Sequence, residues 1–341
     1  MSEVATSGEV AAGESGANRS GRWRVWLAVV GAVFVVVVLG VELFLRFWVG
    51  LGDPPLWVAD EAVEYRLVED QDRRRWGNRI LINDLGMRSG AFSRTREFED
   101  EVRVLVIGDS VVNGGTLVDH GALATTVLEE RLSERLGRPV SVGNLSAGSW
   151  GPVNMAAAFE RLGLEGLDVV VLVVSSHDLT DVPTFEALNP RVFPMRSPWS
   201  ATTEALGRYG PSLLRFYLGI GAEEEELSGL RPRVDLAAAE RSRAAVEQVF
   251  DLARQAGAAP VLMLHGDIDE ARAGRLHAHG RALRAVARDR GVRVVDGMAA
   301  FVEASAAGVA VYRDPVHPSD DGQRVYAEVL EGVVVEILGE E

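Results

Sequence analysis

Hydrophobic and polar positions divide the 341 residues into four regimes. Residues 1–21 are rich in Gly, Ser, Ala and Glu and have no periodicity, so they bury too little apolar surface to offset ordering; this predicts a disordered tail. An apolar run follows. Residues 25–41 carry no charge, and residues 43–45 extend the run beyond Glu42. About 20 residues is the length a helix needs to cross a hydrocarbon core of roughly 30 Å. Trp23 and Trp26 at one end and Trp48 at the other suit the two interfaces. Arg19, Arg22 and Arg24 precede the run and Arg46 follows it, so the positive-inside rule puts the N-terminus in the cytoplasm and the rest of the chain outside. A cleaved signal peptide is the competing reading, but the run is long for one and no small-x-small site follows before Asp53. Glu42 sits at interface depth or pairs with Arg46 at helical spacing. The expected organisation is a tail over 1–22, a membrane helix over 23–49, a membrane-proximal linker over 50–101 and a globular domain over 102–341.

In the linker, the mixed polar pattern predicts a few short strands around the arginine cluster 73–75. Asn83-Asp84-Leu85-Gly86-Met87-Arg88 predicts a turn. From Arg103 the pattern changes again. Residues 104–107 are a continuous β-branched run ending in Gly, as in a strand buried on both faces. Further strands are expected at 140–145, 168–174, 260–264 and 292–295, with helices at 118–136, 154–163, 236–256, 268–290 and 319–338. This alternation implies βαβ units, a parallel sheet and helices on both faces, an α/β domain. No internal repeat is present. An insertion over 181–233 carries Phe185, Phe193, Trp199, Tyr209, Phe216 and Tyr217, with an apolar stretch at 213–218; it predicts either a lid or a satellite core. The acidic run 223–226 reads most simply as a solvated loop.

Composition narrows the chemistry. A formal net charge of −15 excludes a nucleic-acid partner, which requires a positive face. The absence of cysteine removes thiol nucleophiles, thiolate zinc sites and disulfides. The absence of lysine removes P-loop, Schiff-base and Ser–Lys chemistry.

In open parallel sheets the site lies at the C-terminal strand edge. Here those ends are Gly108-Asp109-Ser110, Asn144-Leu145-Ser146, Ser175-Ser176-His177-Asp178, His265-Gly266-Asp267 and Asp296-Gly297, nearly all polar or Gly. Ser110 opens the turn from the first strand into a helix, where backbone N–H groups assist an exposed hydroxyl; an N-cap serine would look the same. Asp314-Pro315-Val316-His317-Pro318-Ser319 precedes the last helix. An Asp and a His three residues apart in this Pro-flanked turn can converge, His317 as general base for Ser110 and Asp314 as its orienting group. The same pair could be half of a metal site, but no further ligands stand at matched spacing, and no metal or organic cofactor is expected. Asn144 and Asn154 flank Gly148 and are candidates to fix its loop. Asp296 is a cap or turn residue, and His120, His277 and His279 look like exposed helix residues.

Gly108-Asp109-Ser110, Gly148, Asp178 and Asp314-x-x-His317-Pro318, in this order at strand ends, resemble the blocks of the SGNH/GDSL hydrolase superfamily over residues 102–338. The resemblance implies a flavodoxin-like three-layer αβα sandwich with a Ser–His–Asp triad of Ser110, His317 and Asp314. The Gly-x-Ser-x-Gly elbow of α/β-hydrolases is absent, as the resemblance requires. It also implies an oxyanion hole from the Ser110 and Gly148 N–H groups, with Asp109, Asn144 and Asp178 in support. One position departs from the pattern. The family's oxyanion Asn is replaced by His177, whose imidazole N–H is an alternative donor. Asn83, Gly86 and Arg88 match an upstream segment of membrane-anchored members that handle O-acyl groups on cell-surface glycans.

Three functions follow as expectations. The first is an esterase acting on acylated small molecules, glycans or lipids. The second is an O-acyltransferase with the same triad, and the third a catalytically weak glycan- or lipid-binding scaffold.

Overall fold

The computed structural model describes residues 17–211, 214 and 235–340. The tail before residue 17, the apolar stretch 213–218 apart from Leu214, Phe216, Tyr217 and the acidic run 223–226 lie outside them.

The apolar run forms helix α1 (Ala17–Phe44), which continues into a π-turn over Leu45–Val49. The segment Arg22–Val49 is long and apolar enough to cross a membrane, and no side of its apolar part is buried by the rest of the chain. Two antiparallel hairpins follow, β1 (Trp57–Asp60) with β2 (Glu64–Leu67) and β3 (Gln71–Arg75) with β4 (Asn78–Ile82).

The domain proper holds β5 (Val102–Gly108), α2 (Ser110–Asn113), α3 (Ala124–Leu136), β6 (Val140–Ser146), α4 (Pro152–Leu162) and β7 (Val169–Val174). After the insertion, with its short α5 (Ala201–Glu204), come α6 (Leu236–Gln255), β8 (Ala259–Leu264), α7 (Ile268–Ala273), α8 (Ala278–Asp289), β9 (Arg293–Asp296), α9 (Gly297–Ala306) and α10 (Asp320–Leu338). The sheet is parallel throughout, in the order β6-β5-β7-β8-β9. This is the flavodoxin-like order, with its switch point between β5 and β7.

Strand alternation builds two cores. Val169, Val171 and Val173 of β7 face α3, α9 and α10, where Leu128, Phe301, Leu330 and Val334 cover them. Val170, Leu172 and Val174 face α4, α6 and α8. β7 is therefore buried on both faces, which is why its sequence is a continuous apolar run.

The structure differs from the expected elements in four places. The helix expected over 268–290 is two, because Gly274 takes a left-handed φ of 62° and caps α7. The one expected over 118–136 begins at residue 124, after a short 3₁₀ turn at His120–Ala122. Helix α9 was not expected; Asp296 caps it by accepting from Ala299 N–H at 3.1 Å. Residues 50–101 do more than link, since Val63, Tyr65, Met87 and Phe92 join the core under β5 and β7. The Asn83 turn forms as expected, with Asn83 Oδ1 accepting from Leu85 and Met87 N–H at 3.0 and 2.9 Å. Arg88 is buried, donates to the carbonyls of Leu81, Arg79 and Val118, and is pushed down to about 10 by burial.

Candidate active site

The end of β5 presents Ser110. Gly108 is required here because a Cβ would overlap Val112 Cγ2 and crowd Val173 O at 3.4 Å. Asp109 caps the turn, its Oδ1 accepting from Val111 N–H at 2.8 Å. Ser110 thus becomes the first residue of α2, half-buried at the sheet edge.

The loop before α10 brings up the other two side chains. His317 Nε2 lies 2.9 Å from Ser110 Oγ. His317 Nδ1 lies 2.8 and 2.9 Å from the two oxygens of Asp314. Asp314 Oδ1 also accepts the backbone N–H of Val316 (3.0 Å) and His317 (2.8 Å), which locks the turn and the carboxylate together. Partial burial raises the Asp314 carboxyl, but these N–H groups and the imidazole outweigh it and hold it below the usual range. An ionised carboxylate fixes the His317 proton on Nδ1 and leaves Nε2 as acceptor for the serine hydroxyl.

Gly148 follows β6 on a loop in which Ser149 takes φ 59°, a left-handed conformation that strains a non-glycine residue by about 1–3 kcal/mol. A Cβ at Gly148 would meet open space. Among the described residues no backbone acceptor takes the N–H of Ser110 or of Gly148. Tyr65 O–H donates to Gly148 O at 2.7 Å, so the β1–β2 hairpin holds this loop. Asn154 contributes as well, accepting from Gly151 N–H at 3.1 Å and donating to Val63 O at 2.8 Å. Asn144, fully buried, instead donates to Val112 O and Thr125 Oγ1, tying α2 and α3 to β6.

His177 follows β7 and is half exposed. Its Nε2 faces inward, 3.2 Å from Asp109 Oδ2 and 3.4 Å from Asp178 Oδ1. The Asp178 carboxylate, and Asp109 beside it, push the imidazole up to about 10 despite its desolvation. Burial pushes Asp178 up, whereas the imidazole keeps Asp109 low against its own burial. Nε2 is therefore committed to carboxylates, and only Nδ1 remains for a substrate. Asp109, His177 and Asp178 bring one ligand atom each within 4.8 Å of one another. Asp267, Glu270 and His277 form a similar group, in which Glu270 takes Ser176 O–H and His277 N–H at 2.5 Å each.

His265, at the end of β8, takes a supporting place that the sequence does not assign to it. Burial pulls it down to about 4, so it is neutral; it donates from Nε2 to Val316 O at 2.7 Å and meets Tyr326 O–H through Nδ1. This braces the turn that carries His317. Its place at a strand end was the available signal; its partner lies 51 residues away.

Residues 106–325 match the family described as GDSL-like lipase/acylhydrolase. Similar solved structures include a member of the lipolytic G-D-S-L family from Veillonella parvula (15% identity, 68% of this chain and 97% of that one covered, TM-score 0.43). Another is an acetylxylan esterase from Geobacillus stearothermophilus (16% identity, 70% and 95% covered, TM-score 0.42). No curated protein matches the chain. With the match spanning more than half of its length and running from the end of β5 into α10, the chain belongs to the GDSL-like lipase/acylhydrolase family, whose members are SGNH-type serine hydrolases.

Proposed function

We propose that this protein is a membrane-anchored esterase that removes O-acyl groups from cell-surface glycans or lipids, with Ser110 as nucleophile. The observation that carries the reading is the continuous hydrogen-bond chain from Ser110 through His317 to Asp314. His317 Nε2 takes the hydroxyl proton as Ser110 Oγ attacks the acyl carbonyl carbon. The resulting oxyanion accepts from Ser110 and Gly148 N–H, beside the positive charge of His177. Collapse expels the alcohol with the proton from His317, and water clears the acyl-enzyme by the same steps reversed. His177, Asp314 and His317 are 50, 39 and 29% exposed, so the catalytic edge is open. An open edge suits a short acyl group on a bulky carrier better than a long chain that needs an apolar tunnel.

The test is fluorophosphonate labelling of the full chain in detergent with the modified residue found by mass spectrometry, alongside p-nitrophenyl acetate turnover. Labelling at Ser110 with turnover is expected. Turnover with a different labelled serine, or folded protein that neither labels nor turns over, defeats the assignment.

A further inference from the structure

We infer that the face around Trp48, Trp199 and Leu206 sits in the headgroup layer of a bilayer, so that the domain is docked on the lipid surface and not only tethered to it. The inference rests on α1 spanning that bilayer.

Three observations lead there. First, the exposed apolar side chains of α1 do not stop at Glu42. Phe47 and Trp48 are 75 and 78% exposed. From Val25 to Trp48 the helix rises about 35 Å at 1.5 Å per residue, more than the roughly 30 Å of hydrocarbon. Glu42 therefore lies about 9 Å inside Trp48 along the axis.

Second, the Glu42 carboxylate is occupied by a distant part of the chain. It accepts Ala201 N–H, Thr202 N–H and Thr202 O–H at 2.9 Å each, and Arg46 at 3.1 Å. A carboxylate at this depth requires such partners, and they fix α5 at the height of Glu42. Trp199, two residues before Ala201, is 90% exposed, and Leu206, two residues after α5, is 68% exposed. At that height, on the acyl-chain side of Trp48, these side chains reach up to the boundary between headgroups and acyl chains, where tryptophan is favoured. The placement is rigid. Glu204 forms a buried ion pair with Arg75 and accepts Gly52 N–H at 2.6 Å, while Trp76 N–H donates to Val49 O at 2.8 Å.

Third, the charge is locally complementary. In a chain of net charge −15, Arg191, Arg196 and Arg208 converge with Thr203 and Gly207 around a cavity of about 220 Å³ beside α5; Glu204 also lines it and pairs with Arg208 at 3.5 Å, which leaves Arg191 and Arg196 as the positive excess. Guanidinium groups pair well with lipid phosphates.

The chain has no cysteine, so single cysteines report without background. Full-length Trp199→Cys and Leu206→Cys would be nitroxide-labelled in phosphatidylcholine–phosphatidylglycerol vesicles, and collision with oxygen compared with collision with a water-soluble nickel chelate. Val33→Cys on α1 and Phe98→Cys, exposed just before β5, are the references. The expected oxygen-to-nickel ratio at 199 and 206 is several-fold above that at 98 and approaches that at 33. Equal ratios at 199, 206 and 98 with lipid-buried 33 overturn the docking and leave the spanning helix intact. Nickel access at 33 itself overturns both. Spin–spin broadening at 199 that unlabelled chain dilutes away assigns the face to a second copy, which also overturns the inference.

Discussion

Replacing Asp314 by Asn tests the proposed catalytic geometry with little change of shape. Asn keeps an oxygen where Oδ1 accepts the Val316 and His317 N–H groups, so the turn persists. It places an NH₂ where Oδ2 faces His317 Nδ1 at 2.8 Å. Oδ1 also lies 2.9 Å from Nδ1, but its two lone pairs are taken by the Val316 and His317 N–H groups; two donors cannot share the Oδ2 contact, so the imidazole proton moves from Nδ1 to Nε2. Nε2 then donates toward Ser110 Oγ at 2.9 Å in place of accepting from it, and the base is lost. Inverting the tautomer in a Ser–His–Asp site costs about 10⁴ in kcat, or about 5.4 kcal/mol at 1.36 kcal/mol per tenfold. Stability should change far less, because the carboxylate is partly exposed and a single hydrogen bond to a charged group contributes about 1.5–3 kcal/mol. The assay is p-nitrophenyl acetate turnover with thermal unfolding of the same preparation. Activity within tenfold of the parent would refute the orienting role of Asp314. A large fall in Tm accompanying the lost activity would refute the claim that the loss is chemical.

Other outcomes are expected from other parts of the fold. Glu204→Ala leaves the Arg75 guanidinium, 1% exposed, buried without its partner and should destabilise by about 3–5 kcal/mol, read as a lowered thermal midpoint; Arg75→Met in the same chain should recover much of it. Gly108→Ala forces its new methyl into Val112 and should cost about 1–3 kcal/mol by denaturant titration together with a loss of turnover, since the same turn aims Ser110. His177 is held protonated up to about pH 10, against an ordinary value of 6.5, so the folded state binds the extra proton. Stability should therefore fall as pH rises from about 6.5 through 10, and His177→Asn should flatten that slope; an unchanged slope would show that the charge contributes nothing. Asp178, pushed up by burial, acts with the same sign at lower pH.

The sequence by itself determined the elements whose cause is local. β7, and β5 from Val104 onward, are continuous apolar runs because both faces of a central parallel strand are covered. The Asp314–His317 turn is equally local, because its hydrogen bonds span three residues. The apolar run of α1 needed only its own composition. Gly274, by contrast, gave too weak a signal to split a helical pattern, and the hairpins of 50–101 resembled a linker because their partners are elsewhere in the chain. Tertiary structure alone decided that His317 reaches Ser110 across 207 residues. It also decided that Tyr65 holds Gly148 and that Glu42 holds α5. The same holds for His177, whose ring lies against Asp109 and Asp178. A side chain's identity limits which bonds it can make, but which donor meets which acceptor depends on how the strands are ordered and how the loops at their ends pack.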